Sequence, residues 1–199
     1  MQEIDAVYDP TNNPFSPIET GIYPAHIIGF GTRNVKTRVG DAIVINMTYE
    51  IADEAGELVQ LVYQMDGYNY KLDNNGEKQL VLDKDGKSKT TKCQHLVGKK
   101  FRDSGTFVFT DKESSGRNRR YFELLSTLGV NLNENSKGEF PLSLLEEDDV
   151  IGLPVLARLN SEEYEKDGEK KTAWKVFDVQ YWKDGQRLSK EEIEDDLPF

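Results

Sequence analysis

Ten lysines and arginines fall between residues 87 and 120 (Lys87, Lys89, Lys92, Lys99, Lys100, Arg102, Lys112, Arg117, Arg119 and Arg120), against three acids, Asp103, Asp111 and Glu113. Cations at that density neutralise phosphate oxygens, and aromatic rings among them offer faces on which bases can stack. Phe101 stands in "KKFR", enclosed by Lys99, Lys100 and Arg102, and Arg117, Arg119 and Arg120 follow. Two other places have the same make-up: Arg33, Lys36 and Arg38 in the connection "GTRNVKTRVG", and Trp174 beside Lys170, Lys171 and Lys175. Tyr68 and Tyr70 add rings in a polar stretch. The candidate contacts for an anionic strand are therefore Arg33, Lys36, Arg38, Lys99, Lys100, Phe101, Arg102, Arg117, Arg119, Arg120, Lys171, Trp174 and Lys175. Any one of these cations, taken alone, also fits a solvated surface charge. Phe107, Phe109, Phe177 and Tyr181 alternate with other residues in expected strands and are placed in the core.

Other chemistry finds few residues to carry it. There is no phosphate-cradling glycine loop, no GxSxG and no HExxH. Cys93 is the single cysteine and His26 and His95 are the two histidines, too few for a zinc site of Cys and His ligands, so "CQH" at 93 to 95 reads as loop. "LLEEDD" at 144 to 149 is an acidic run of the kind a two-metal nuclease uses, but consecutive acids cannot all converge on one ion; it reads as a solvated turn. No cofactor, no metal and no enzymatic activity is expected.

The whole-chain numbers set the frame. With 199 residues, 37% of them hydrophobic and 10% aromatic, the chain can bury one good core with a small appendage. A mean hydropathy of −0.65 and the lack of a long apolar run argue against a membrane span. "MQEIDAVYDPTNNPFSP" has neither a basic nor an apolar leader region, so a cytoplasmic location is expected. Ten cations over three acids is a local balance of +7; set against a whole-chain charge of −11, the rest carries −18. This separation keeps a basic face available on an acidic molecule.

The elements that must position these residues are mostly strands. Residues 1–20 hold Pro10, Pro14 and Pro17 and read as an extended arm. From Gly21 the pattern is β: Ile43, Ile45, Met47, Tyr49 and Ile51 alternate with Ala42, Val44, Asn46 and Thr48. In "LVQLVYQM", Val59, Leu61, Tyr63 and Met65 are expected inward and Gln60 and Gln64 outward. About residues 66–100, "DGYNYKLDNNGEK" and "DKDGKSK" mark an insertion or a hairpin pair. A strand around Phe107 and Phe109 precedes a helix in "NRRYFELLSTLG", with Tyr121, Leu124, Leu125 and Leu128 on one face, Asn118 as cap and Gly129 as stop. A hairpin follows, with Val155, Ala157 and Leu159 going out, Phe177, Val179 and Tyr181 returning, and "KDG" near its turn.

The string of three strands, helix and two strands within 21–183 has the order of a five-stranded Greek-key barrel, the OB-fold, whose exposed sheet face and loops bind oligonucleotides. Other small barrels or an α+β sandwich could generate the same string. A mainly β OB-fold-like barrel with inserted hairpins, one short helix and a flexible acidic tail is the expected architecture. Residues 184–199 form a short linker and that tail, and Ser189 and Glu192 have capping-box spacing within it.

The last nine residues are "EEIEDDLPF". This ending resembles the acidic C-terminal peptide of bacterial single-stranded DNA-binding proteins, two or three aspartates followed by Ile-Pro-Phe. Asp195, Asp196, Pro198 and Phe199 match, and Leu197 replaces the isoleucine. In the body, "GIYPAHIIGFGTR", "LLSTLGVNL", "IGLPVLARL" and "WKVFDVQYW" resemble in order and texture the divergent OB-fold DNA-binding proteins of tailed phages. The long Gly-, Pro- and Gln-rich linker of the bacterial family is replaced here by "KDGQRLSKEEIE". The resemblance implies a phage-encoded protein in the bacterial host cytoplasm. It would coat single-stranded DNA without sequence preference and recruit replication, recombination or repair proteins through Asp195, Asp196, Leu197, Pro198 and Phe199. Phe199 would fill an apolar pocket and its carboxylate meet an arginine, while the acids meet a basic rim. The alternative is a replication adaptor that docks through Leu197-Pro198-Phe199 without binding DNA itself.

Overall fold

The computed structural model describes residues 18–66, 69–111, 114–166 and 168–195. The expected arm up to residue 17, Tyr68, Lys112, and Asp196, Leu197, Pro198 and Phe199 of the tail lie outside the described residues. In chain order the strands are β1 (Gly21–Thr37), β2 (Gly40–Ile51), β3 (Val59–Leu61), β4 (Met65–Asp66), β5 (Asn69–Tyr70), β6 (Thr90–Lys92), β7 (Lys100–Asp103) and β8 (Thr106–Phe109). Two helices follow, α1 (Arg119–Thr127) and α2 (Glu147–Val150), then β9 (Pro154–Lys166), β10 (Glu169–Tyr181) and α3 (Lys190–Asp195). The chain forms two compact units, a larger one from Thr20–Ala52 with the residues from Gly98 onward, and a smaller one built on Asp53–Val97. Among the described residues no helix is long and apolar enough to cross a membrane.

The larger unit is mainly β. Its sheet runs β1-β9-β10-β7-β2 and closes through β2 onto β1, a ring of five strands, with β8 continuing along β2 beyond the ring. The pair β7–β10 is parallel, Lys175 opposite Arg102 and Val176 opposite Asp103; the other pairs in this sheet are antiparallel. Ile27, Ile45, Met47, Tyr49, Ile51, Ala157 and Leu159 line the interior, each at most 2% exposed. Burying a large side chain of this kind contributes about 1.5–3 kcal/mol. The inward face expected for β2 holds from Ile45 onward. At the start of the strand Ala42 and Val44 are buried and Ile43 is only partly covered, because β8 has replaced β7 as the neighbour there.

Helix α1 lies where the 3.6-residue period puts it, with Tyr121 and Leu125 buried. The Tyr121 hydroxyl donates to the Ser143 carbonyl at 2.6 Å and accepts the Leu145 N–H at 2.9 Å, fastening the chain that follows the helix. Gly129 ends the helix as expected, the Val130 N–H turning back to the Leu125 carbonyl. Asn118 does not cap with its side chain. Its amide is spent on β8, where Oδ1 accepts the Phe109 N–H at 2.8 Å and Nδ2 donates to the Phe109 carbonyl at 3.0 Å.

Residues 182–189 are anchored to the larger unit rather than forming a free linker. The His26 ring N–H donates to the Gln186 carbonyl at 3.0 Å, and its ring lies 5.7 Å from that of Trp182. Arg187 donates to the carbonyls of Asp148 and Ile151, and the Leu188 N–H donates to Gly152. Gly152 sits at φ +79° with space for its Cβ taken by the Leu188 carbonyl at 2.1 Å, so a side chain there would push the segment off. Helix α3 then starts on the expected cap, Ser189 N–H and hydroxyl both on Glu192.

The smaller unit pairs β3 with β6 and β4 with β5. Here the expected strand faces are reversed: Val59 and Leu61 are 61% and 41% exposed, while Gln60 turns in toward the Cys93 thiol, which donates to its Oε1, and toward His95. The reason is local. The inner side of this narrow ribbon is filled by Ala55, Cys93 and Leu96, and "CQH" is a turn of 3-10 helix with Cys93 buried at its head, its thiol pKa pushed up by that burial. The expected hairpin pair is present as one turn used twice. Asp73 Oδ1 accepts the N–H groups of Asn75 and Glu77, and Asp83 Oδ1 those of Asp85 and Lys87. Tyr70 donates to Glu19, and the Lys78 ammonium sits 3.7 Å from the Tyr70 ring centroid, so this ring is covered rather than offered to a ligand.

Candidate nucleic-acid interface

Directly opposed residues of neighbouring strands share a face of the sheet, so the register fixes what β1, β2, β7 and β8 present on the outside of the ring. Four rows result. Gly29 is opposite Thr48, Thr48 opposite Arg102, and Arg102 opposite Lys175; Gly31 is opposite Asn46. Arg33, Val44 and Phe107 make the third row, and Val35, Ala42 and Phe109 the fourth. Val44 and Ala42 in the middle strand are buried, Phe107 is 43% exposed, and the rings of Phe107 and Phe109 stack at 6.4 Å with 22° between their planes. A Cβ at Gly31 would meet nothing within 4 Å, so this face is open between the arginines.

A break between β7 and β8 creates this arrangement. Four residues of β2, from Ile45 to Thr48, are spanned by five on the partner, from Arg102 to Thr106, which is one residue more than a regular ladder holds. The extra residue inverts the alternation: Phe101 and Thr106 point inward, while Arg102 and Phe107 both point outward. Asp103 stitches the break. Its Oδ1 accepts the Met47 N–H at 3.2 Å, the Asn46 amide at 3.3 Å and the Gly105 N–H at 3.0 Å. Gly105 takes φ +83°, and a Cβ there would come within 2.7 Å of both Val44 and Asn46. Burial of the Asp103 carboxyl raises its pKa against the lowering effect of these donors and of Arg120.

Strand β10 carries a second bulge, since Val176 is opposite Leu159 but Asp178 is opposite Arg158. Val176 and Val179 are buried, and Phe177, between them, is 59% exposed. Arg120 at the start of α1 donates to the Phe177 carbonyl at 3.1 Å and holds its guanidinium 6.0 Å from the Phe177 ring.

The candidate residues separate on this frame. Arg33 and Arg102 share the outer face with Phe107 and Phe109. Lys36 is exposed on the other face of the β1–β2 hairpin and Arg38 sits at its turn, both arginine and lysine within or beside β1 and β2 rather than in a free loop. Arg33, Lys36, Arg38, Arg102 and Arg117 are exposed and make no ion pair among the described residues. Lys100 is paired with Glu50 at 3.1 Å, Arg119 with Glu123 at 2.8 Å and Lys175 with Glu162. Lys99 and Lys171 are half-buried.

Three aromatic expectations are corrected. Phe101, expected as a contact, is 7% exposed and lies opposite Tyr49 inside the ring. Phe107, Phe177 and Tyr181, expected in the core, are exposed, Tyr181 at 65%. Trp174, named as a candidate contact, is half-buried on the strand face of buried Val176. The candidate residues that the sequence pattern missed are thus Phe107 and Phe109, with Asp103 and Gly105 as the supports of their strand, and Phe177, held by Arg120. The glycine in "RDSGTFVFT" was the available signal, since a glycine inside a strand pattern marks a bulge.

The face therefore combines exposed rings, uncompensated guanidinium groups and a floor without side chains at Gly31. Comparison of the chain with family models, with curated proteins and with solved structures finds no match.

Proposed function

We propose that the chain is a single-stranded DNA-binding protein of low sequence preference and that its larger unit is an OB-fold. The observation that carries this is the outer face of β1, β2 and β7–β8, where the stacked pair Phe107–Phe109 shares one face with Arg33 and Arg102. Stacking on exposed rings is sequence-tolerant, and cations beside them track phosphates. The ring order supports the fold: three strands, a helix, then two strands, with β7 and β10 as the single parallel pair, follows the five-stranded Greek-key order. The second part of the proposal concerns the acidic run Glu191–Asp196 with Leu197, Pro198 and Phe199 as a docking segment for replication, recombination or repair proteins. Its support is the sequence resemblance, together with the anchoring of residues 182–189, which fixes where the segment leaves the unit.

The test is a fluorescence-anisotropy titration of labelled oligo-dT of about 30 nucleotides over a salt series, with duplex DNA as control. The expected result is preference for the single strand and an affinity whose logarithm falls linearly with log salt. Absence of binding at low salt overturns it and leaves the adaptor alternative.

A further inference from the structure

The smaller unit has one apolar sheet face. The run from Val59 to Asp66 pairs in turn with β6, with Leu80 and with β5, and directly opposed residues share a face. Val59 lies opposite Lys92, Leu61 opposite Thr90 and Tyr63 opposite Leu80. Leu72 follows Tyr70, and Leu82 follows Leu80, at the two-residue period that keeps a face. Val59, Leu61, Leu72 and Leu82 are exposed, Tyr63 and Leu80 are half-buried, and Gln60 and Gln64 alternate onto the other side. Soluble proteins seldom leave a contiguous apolar face of this kind bare.

The N-terminal chain enters this face at Glu19. The Glu19 carboxylate accepts the Tyr70 hydroxyl and pairs with the Lys78 ammonium at 3.0 Å, and Lys78 lies directly opposite Leu72. Pro17 is therefore two residues, at most about 7 Å of chain, from an anchor on the apolar face.

We propose that residues 1–17 of the same chain lie across this face and cover it. Three observations select that segment as the occupant. The anchor at Glu19 makes docking intramolecular, which gives the arm an effective concentration that a free partner lacks. Its length suffices: an extended chain of about 17 residues reaches roughly 55 Å, whereas the row from Val59 to Tyr63 is about 17 Å long. Its composition is complementary, since Ile4, Val7, Tyr8 and Phe15 supply apolar side chains and no lysine or arginine is present to meet Lys78 or Lys92. Pro10, Pro14 and Pro17 lack the N–H groups of a further ladder strand and narrow the free conformations, so the arm docks by side chains at a reduced ordering cost. This inference stands apart from the single-strand reading and uses none of its residues.

Site-specific photocrosslinking in the full chain tests it. A p-benzoylphenylalanine at position 15 or 8, replacing Phe15 or Tyr8, leaves every described contact of the face in place. After irradiation, peptide mapping is expected to find adducts at Leu61, Tyr63, Leu72, Leu80 or Leu82 within chains that run as monomers. Adducts on the larger unit alone, or none, overturn the proposal. Adducts to the face found only in crosslinked dimers overturn it as well and assign the face to the arm of a second copy. An independent readout is the fluorescence of an apolar-surface dye. A chain starting at Ile18 is expected to brighten the dye several-fold over the full chain, and Leu61→Gln with Leu72→Gln in that shortened chain should remove the gain. A shortened chain no brighter than the full one would mean that the arm covers nothing.

Discussion

Two regions of the larger unit carry the same ingredients with opposite outcomes. The outer face of β1, β2 and β7–β8 and the far part of the β9–β10 hairpin each combine lysines or arginines with aromatic rings. In the hairpin the cations are answered: Lys175, opposite Arg102 where the hairpin borders the outer face, pairs with Glu162, and the strand opposite Lys171 runs Glu162, Glu163, Tyr164, Glu165. Trp174 is half-buried there. On the outer face Arg33 and Arg102 have no acid within ion-pairing distance among the described residues, and Phe107 stands exposed in the row of Arg33, across Val44 from it. A potential that attracts phosphate comes from uncompensated charge, so the number of cations in a segment is a poor guide to where a strand binds.

The largest effects should come from the rings. Phe107→Ala and Phe109→Ala are each expected to weaken oligo-dT binding by about 10- to 100-fold, the range for one lost base-stacking contact. The double variant should fall short of the product because the two rings touch. Trp174→Ala should change affinity by no more than a few-fold. Thermal midpoints near that of the wild type would confirm that truncating an exposed ring spared the fold. A larger loss for Trp174→Ala than for Phe107→Ala would move the site to the hairpin and reverse the comparison.

Salt dependence sharpens the contrast at the level of charge. Arg33→Gln and Arg102→Gln should each reduce the slope of log affinity against log salt by about 0.7, the value for one phosphate contact on a single strand. Lys175→Gln should leave the slope unchanged, because Glu162 already neutralises that ammonium. An equal reduction at Lys175 would mean that the ion pair opens on binding and that the interface extends past Arg102 onto β10.

Much of the architecture was legible in sequence. Gly21 as the first strand residue, the i, i+3, i+4 face of α1 and its stop at Gly129, the outgoing face Val155, Ala157 and Leu159, and the Ser189–Glu192 cap all depend on neighbours a few residues away. Face assignment on strands was less secure, because alternation gives two faces without naming the inner one. A single inserted residue then exchanges them. The bulge at Ser104–Gly105 sends Phe101 in and Phe107 out, and the one at Phe177 places Trp174 and Val176 on the face of Val179. The exposed Val59 and Leu61 fail for a related reason. A three-residue ribbon has no large sheet behind it, so its inner side follows Cys93 and Leu96 rather than hydrophobicity along the strand. Pairing of cations was illegible altogether, since Glu50 and Lys100, or Glu162 and Lys175, meet only through register.

The smallest expected effect concerns the support of the face rather than the face itself. Asp103 accepts three N–H donors through one oxygen, yet burial outweighs them and raises its carboxyl pKa above the ordinary value. A carboxylate whose pKa is higher folded than unfolded binds more protons in the native state between the two values, so its contribution to stability falls as pH rises through that window. At neutral pH the full cost of keeping it ionised is present; below the ordinary aspartate value, about 3.9, the cost is gone. Asp103→Asn keeps an oxygen for the three donors and removes the charge. Its thermal midpoint should therefore equal or exceed that of the wild type at neutral pH, with the advantage shrinking on acidification toward pH of about 4. Wild type more stable at neutral pH, with the gap closing in acid, would mean that the three donors and Arg120 win over burial. The bulge would then be held by the charge of Asp103 and not merely by its shape.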